Sequence, residues 1–199
     1  MKNLMKLEDV YFAFTCIAEP TFKYNSKIEK EFKTTIILSK EQAKEFKKNK
    51  LNKAVKEIDT SEFEAKMKFP PPYPDQDEQY SISVAKPQNY KDGNLRPAFT
   101  FPKSYFLQDG NVVEDNTILI GNGSFGNVSL DLNYNETLGQ TNVALFSVLI
   151  KDLVPYVKRG SGDEWANEGN VISAPPVPES KVSNKVVSTP ELSNDDLPF

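Results

Sequence analysis

The segment Ser129-Leu130-Asp131-Leu132-Asn133-Tyr134 alternates apolar and polar residues with a period of two, the signature of a half-buried strand. The same kind of pattern recurs along most of the chain. Residues 8–18 and 29–38 are rich in aromatic and β-branched residues, with Pro20 and Asn25-Ser26 between them, and both read as strands. Residues 79–86 supply a third strand, 97–106 an extended segment with Phe99 and Phe101 on one face, and 117–120, 123–134 and 141–156 the remaining strands. One stretch has a different period. Ser39-Lys40-Glu41-Gln42 is a capping-box pattern, in which a serine hydroxyl caps a helix while the glutamine reaches back. The helix it opens runs to about residue 58, with Ala43, Phe46, Leu51, Ala54, Val55 and Ile58 on a ragged apolar face. Residues 59–78 are acidic and then proline-rich, and read as a loop. Short strands with a single helix predict a mainly β fold: a five-stranded barrel of the OB type with one added helix, although pattern alone does not separate OB from other small barrels.

After Gly160 the periodic apolar residues give way to Gly, Ser, Asn and Pro, which predicts a disordered tail. The expected organisation is a domain over residues 1–160 and a flexible acidic tail over 161–199. The charge follows the same boundary. The whole chain carries −4, yet residues 160–199 alone hold seven acids and two bases. The first 159 residues are close to neutral, and a partner cannot be judged from the overall charge.

Several chemistries are made improbable by composition. The chain has no histidine, which removes histidine-based triads, most zinc sites and the commonest general base. Its single cysteine, Cys16, has no partner within the chain, so a reducing cytoplasmic setting is expected. The N-terminal apolar run is short, interrupted by Glu8 and Asp9 and without a small-residue cleavage site, so no signal peptide is expected. The Asn-x-Ser/Thr matches at Asn122, Asn127 and Asn135 are then chance. The run Gly121-Asn122-Gly123-Ser124-Phe125-Gly126 fits both a dinucleotide fingerprint and a kinase glycine loop. A strand pattern follows it where the first needs a helix, and the later kinase motifs are missing, so a glycine-permitted bulge or barrel corner is the better reading. Asp75, Asp77 and Glu78 read as a solvated acidic loop, with no metal or cofactor expected.

The segment from Lys86 to Tyr105 is more telling. It interleaves Lys86, Lys91, Arg96 and Lys103 with Tyr90, Phe99, Phe101 and Tyr105. Single-strand binders need cations for phosphates and flat rings for unpaired bases. The bland alternative is that Phe99, Phe101 and Phe106 belong to the core. Seven lysines between Lys40 and Lys56, Lys47 and Lys50 among them, give the helix a face that can track phosphates or simply be solvated. The C-terminal Asp195-Asp196-Leu197-Pro198-Phe199 is the strongest signal. A large aromatic at the end of a polar tail, with acids before it and its own carboxylate, suits a basic-rimmed apolar pocket on another protein.

This tip resembles that of bacterial single-stranded DNA-binding proteins, and the body resembles the bacteriophage proteins of that kind. The resemblance rests on Ile118-Leu119-Ile120-Gly121-Asn122-Gly123-Ser124, the strand to Tyr134, Gly139, the closing strand over 143–154 and the turn Lys91-Asp92-Gly93. It covers roughly residues 80–199. It implies an OB fold with an added helix, no catalysis, and replication and recombination partners held by the tail. The tail departs from the phage pattern in its lower acidity and in Lys181 and Lys185. The expectation is sequence-independent binding and protection of single-stranded DNA in phage replication, recombination and repair, in the host cytoplasm, with a homodimer allowed. A strand-annealing mediator would use the same surface. A nuclease is opposed by the lack of histidine and of a carboxylate cluster, and a module for acidic protein partners is a third reading.

Overall fold

A computed structural model describes residues 3–49, 51–90 and 92–156. The tail call, its boundary at residue 160 and the tip from Asp195 to Phe199 lie outside the described residues, as do Lys50 and Lys91.

The described chain runs β1 (Asn3–Phe22), β2 (Lys30–Leu38), α1 (Lys40–Lys48), β3 (Lys56–Asp59), α2 (Thr60–Met67), β4 (Glu78–Pro87), a 3-10 turn (Ala98–Thr100), β5 (Lys103–Gln108), β6 (Asn111–Glu114), β7 (Ser124–Asn135) and β8 (Gln140–Asp152). All eight strands lie in one sheet, in the order β3-β4-β2-β1-β7-β8-β5-β6. Neighbours are antiparallel except β5 and β8. The fold is mainly β and OB-like. Its five central strands, β4-β2-β1-β7-β8, curl round one apolar core.

β1 makes the curl. It pairs with β7 over Asn3–Phe12 and with β2 over Tyr11–Phe22, so one strand serves both halves of the sheet. Twenty residues of straight strand would reach roughly 66 Å, so β1 has to bend. It bulges where its register slips, between Leu7 and Val10 against β7 and between Ala13 and Cys16 against β2. Each of these two slips inserts one extra residue, which kinks and twists the strand, and a further irregularity follows between Cys16 and Thr21. The inner face buries Phe12, Ile36, Ile82, Leu130, Leu145 and Ile150, with Ala43 and Phe46 of α1 inserted among them.

The structure departs from the sequence expectation in several places. The hydrogen-bonded ring is not closed, and the sheet has eight strands rather than five. Between β4 and β8, α1 plugs the core and the segment after it ties on to β8. There Asn52 N–H donates to the Thr141 carbonyl at 2.9 Å, and Val143 N–H donates to Asn52 Oδ1 at 2.9 Å. These tertiary bonds end the helix early. α1 stops at Lys48 with Asn49 as its C-cap, so Leu51, Val55 and Ile58 reach apolar clusters from a linker and from β3. The capping box itself is present, with Ser39 and Gln42 bonded reciprocally.

Residues 59–78 are also not all loop. Asp59 caps α2 by accepting from Ser61 N–H at 2.9 Å, and Phe63 and Met67 then pack with Ala13, Ile37 and Ile58 on the outer face of the sheet. The segment 97–106 splits into the 3-10 turn and β5, because Thr100 and Phe101 N–H bond back to Pro97 and Ala98. A hairpin at Asp109-Gly110 adds β6, where φ is positive at both turn residues. Residues 117–120 form no strand, only the bridge Ile120–Pro155.

The glycine run is structural, as expected. Gly123 has φ +90°, and a Cβ at Gly126 would collide with the Leu149 carbonyl oxygen where β7 slips register against β8.

Candidate nucleic-acid interface

At one end of the curl, the β1–β2 turn meets the segment that follows β4. Lys23 N–H bonds the Glu29 carbonyl at 2.8 Å, and Ser26 Oγ accepts from Glu29 N–H at 2.9 Å. The closed turn leaves the Tyr24 ring 87% exposed. After β4, Gln88 N–H bonds the Lys30 carbonyl at 2.9 Å, and Tyr90 and Asn94 pair across a tight turn that needs the positive φ of Gly93. Asn89 Nδ2 donates to the Gly93 carbonyl at 2.9 Å, and Arg96 Nε donates to the Asn89 carbonyl at 3.1 Å. The turn is thereby held in one shape.

Rings and cations converge on this frame. The Arg96 guanidinium lies 4.4 Å from the Tyr90 ring centroid, and Lys30 Nζ lies 5.3 Å from that of Phe22. Between them is a depression of about 230 Å³ lined by Lys23, Glu29, Lys30, Pro87, Asn89, Tyr90 and Arg96. Three cations face one acid there, and Glu29 pairs with Lys23 at 3.0 Å. That pair raises the Lys23 pKa above the usual lysine value, chiefly through the hydrogen bond to Glu29.

Phe99 and Phe101 border a neighbouring depression of about 520 Å³ that also takes in Phe32, Gln88 and Lys103. Phe99 is 82% exposed and cannot be core. Phe101 is half-buried, its ring 4.8 Å from Phe32, and Phe106 is fully in the core. Lys103 is paired with Glu114 at 2.8 Å, which holds the Glu114 carboxyl below and the Lys103 ammonium above their ordinary pKa values.

The structure therefore brings Tyr90, Arg96, Phe99, Phe101 and Lys103 to adjoining depressions. Lys86 is half-buried on β4 opposite Phe32. Tyr105 lines a separate depression with Lys6, Asn127 and Leu149. Lys47 is exposed on α1, bonded to Glu57 at 2.6 Å and 5.5 Å from the Tyr80 ring. Asp75, Asp77 and Glu78 are exposed, and no group of three potential metal-ligating residues occurs among the described residues. No helix among them is long and apolar enough to cross a membrane.

The outer face of β2 and β4 continues from the same end. Its cross-strand row is Glu31–Pro87, Lys33–Ala85 and Thr35–Ser83, with the last two hydroxyls 3.2 Å apart. In OB folds the face of the second and third strands and the loop between the first two are the usual oligonucleotide surface.

No family model matches the sequence, and no curated protein does. Solved structures do. The chain is similar to bacteriophage single-stranded DNA-binding proteins. The protein gp2.5 of bacteriophage T7 aligns at 16% identity over 84% of this chain and 95% of its own, with a TM-score of 0.47. The protein of bacteriophage Enc34 aligns at 16% identity over 80% of this chain and 86% of its own, with a TM-score of 0.41. Its complex with single-stranded DNA aligns at 16% over 77% and 89%, with a TM-score of 0.45. At that identity no residue role passes from one chain to another.

Sequence reasoning missed Phe22, Lys23, Tyr24 and Lys30. The signal was present, since Phe22-Lys23-Tyr24 alternates ring and cation as the 86–105 segment does. It was masked by the reading of residues 19–28 as a plain connection between strands.

Proposed function

We propose that this chain binds single-stranded DNA with little sequence preference, through the rings and cations gathered at the β1–β2 turn and the segment after β4. The observation that supports the reading most is the Tyr90–Arg96 turn, which sets an exposed ring and a guanidinium beside Lys23, Lys30 and Phe22. Flat rings take unpaired bases, and cations take phosphates without regard to base identity. The proposed contact residues are Tyr90, Arg96, Phe99, Phe101 and Lys103, with Lys86, Lys91, Tyr105, Lys47 and Lys50 from the wider basic and aromatic set, and Phe22, Lys23 and Lys30 added by the fold. The chain acts as a binding protein rather than an enzyme, in phage DNA replication, recombination and repair within the host cytoplasm. Replication and recombination proteins are recruited by Asp195, Asp196, Leu197, Pro198 and Phe199.

The test is a titration of labelled oligo-dT and of a duplex of the same length at two salt concentrations. Strong preference for the single strand, with affinity falling as salt rises, supports the reading. Equal affinity for both forms, or affinity indifferent to salt, overturns it.

A further inference from the structure

β1 meets the same geometric problem twice and solves it with different residues. At the bulge against β7 the left-handed position is Asp9, φ 55°, a residue type that tolerates this region. At the bulge against β2 it is Phe14, φ 50°. A bulky side chain in the left-handed region is strained, and glycine there would not be. Both positions are braced by an asparagine, one on the neighbouring strand β7 and one in the turn that leads into it. Asn127 Oδ1 accepts from Asp9 N–H at 3.0 Å, and Asn122 Oδ1 accepts from Phe14 N–H at 2.8 Å. Asn122 Nδ2 in turn donates to the Met67 carbonyl at 3.1 Å, and Gly123 N–H donates to the Phe12 carbonyl at 2.9 Å.

The Phe14 ring contributes little to the fold. It belongs to neither apolar cluster and is 42% exposed. Strict alternation after Phe12 would turn position 14 inward, and the bulge re-aims it outward. There it borders two open grooves at once. One, of about 560 Å³, includes Cys16, Glu19, Lys33 and the exposed Tyr156. The other, of about 390 Å³, includes Glu31, Lys33, Thr35, Lys53 and Ser83. Lys33 borders both, and neither Lys33 nor Lys53 is ion-paired among the described residues. The β2–β4 row leads from this ring, through Lys33–Ala85, to Pro87 beside the Tyr90–Arg96 turn.

We infer that Phe14 is a second stacking platform for an unpaired base, held at a strained bulge by Asn122, with Lys33 and Lys53 placed for the flanking phosphates. The inference rests on the single-strand reading and extends the path of the strand across the β2–β4 face. A flat ring with cations on either side, on a groove continuous with the first cluster, suits a nucleotide strand.

Full-length protein carrying Phe14→Gly is compared with wild type and Tyr90→Ala for oligo-dT affinity and thermal unfolding. Phe14→Gly should bind roughly 5- to 150-fold more weakly, the range for loss of one stacked base. Its melting temperature should stay level or rise, since glycine removes the strain. In a Trp165→Phe background, Phe14→Trp should keep its affinity, and oligo-dT should quench its indole emission. Wild-type affinity in Phe14→Gly, with Tyr90→Ala weakened, overturns the platform and leaves the single-strand reading standing. A loss of affinity that tracks a falling melting temperature, with Phe14→Trp emission unmoved by oligo-dT, also overturns it. Failure of wild type to bind oligo-dT overturns both.

Discussion

The Arg96 guanidinium sits 4.4 Å from the centre of the Tyr90 ring, while its Nε holds the Asn89 carbonyl of the same turn. The two residues are therefore not equivalent in a binding test. Tyr90→Ala removes an exposed ring and should cost on the order of 1–3 kcal/mol of single-strand affinity with little change in stability. Arg96→Ala removes a cation and loosens the turn that presents Tyr90. Because the residues touch, the double variant should lose less than the sum of the two single variants. Affinity measured by titration across the four proteins gives the coupling directly, and simple additivity would mean that the stacked pair does not act as a unit.

Lys103 faces the Phe99–Phe101 depression but is engaged by Glu114 at 2.8 Å. Glu114→Gln should release it, raise affinity for oligo-dT and steepen the salt dependence by roughly 0.7, the increment for one phosphate on a single strand. The pair also fixes a pH window for stability. Glu114 has a depressed pKa in the folded state, mainly from its hydrogen bond with Lys103. Its contribution is present above the unfolded glutamate value of about 4.3 and is lost as pH falls through the lower folded value. Lys103 is raised, mainly by its hydrogen bond with Glu114, so its contribution is present below the unfolded lysine value of about 10.4 and lost as pH rises through the higher folded value. Unfolding scans of wild type and Glu114→Gln should therefore differ most between those limits and converge in acid. Since both groups are exposed, the difference should be small.

The basic helix and the β2–β4 face can be separated by salt. Lys47 is already neutralised in part by Glu57 at 2.6 Å, whereas Lys33 and Lys53 make no ion pair among the described residues. Charge reversal of Lys33 and Lys53 should flatten the salt dependence of oligo-dT binding more than reversal of Lys47 and Lys48. The opposite order would place the main phosphate track on α1.

Period and local chemistry carried much of this structure in the sequence. The alternation at 129–134 lies inside β7, and the Ser39–Gln42 capping box opens α1 where it was read. What escaped was decided by distant partners. Nothing near Asn52 announces that it will bond Thr141 and Val143 and so end the helix at Lys48. Asp59 with Glu62 three residues on is a usable helix start, but the prolines just beyond drew the whole stretch into a loop. For the candidate interface, ring-and-cation interleaving pointed to the 86–105 segment, of which the fold gathers Tyr90, Arg96, Phe99, Phe101 and Lys103 at adjoining depressions. It could not find Phe14, whose exposure depends on a bulge that exists only once β1 pairs on both sides. Asn122 and Asn127 looked like chance glycosylation matches, and prove to be the two braces of that strand.

Gly126 tests whether the glycine run is structural. A Cβ there meets the Leu149 carbonyl and the Ile150 backbone, neither of which can swing aside as a side chain tip would. Gly126→Ala should force β7 away from β8 and destabilise by about 2 kcal/mol or more, at the high end for a single methyl group. Gly139→Ala, in a turn with open space around the Cβ position, carries only the cost of its positive φ and should be milder. Chemical denaturation of the two variants checks the order, and equal effects would show that contact with Leu149 does not constrain the strand.

The tail prediction follows from charge and composition. Among the described residues, every member of both apolar clusters and every half-buried residue packed against them precedes Val154, and after Gly160 the sequence offers no periodic apolar pattern to add to them. Removal of residues 161–199 should then leave the melting temperature nearly unchanged. The segment 160–199 carries seven acids and two bases, tethered to a surface that offers Lys23, Lys30, Lys33, Lys53 and Arg96. A tethered anion competes with phosphates at an effective concentration in the millimolar range for a short flexible link. Tail deletion should therefore raise oligo-dT affinity, and the gain should shrink with added salt, because exposed charges are screened beyond about 8 Å at physiological ionic strength. Removing only Asp195 to Phe199 should abolish capture of host replication proteins while giving part of the affinity gain, since it takes away two of the seven acids but leaves the rest. Full-length, tip-deleted and tail-deleted proteins compared in one DNA titration and one pull-down decide it. A tail-deleted protein that stays folded and no longer binds DNA would make the tail part of the binding site rather than its competitor.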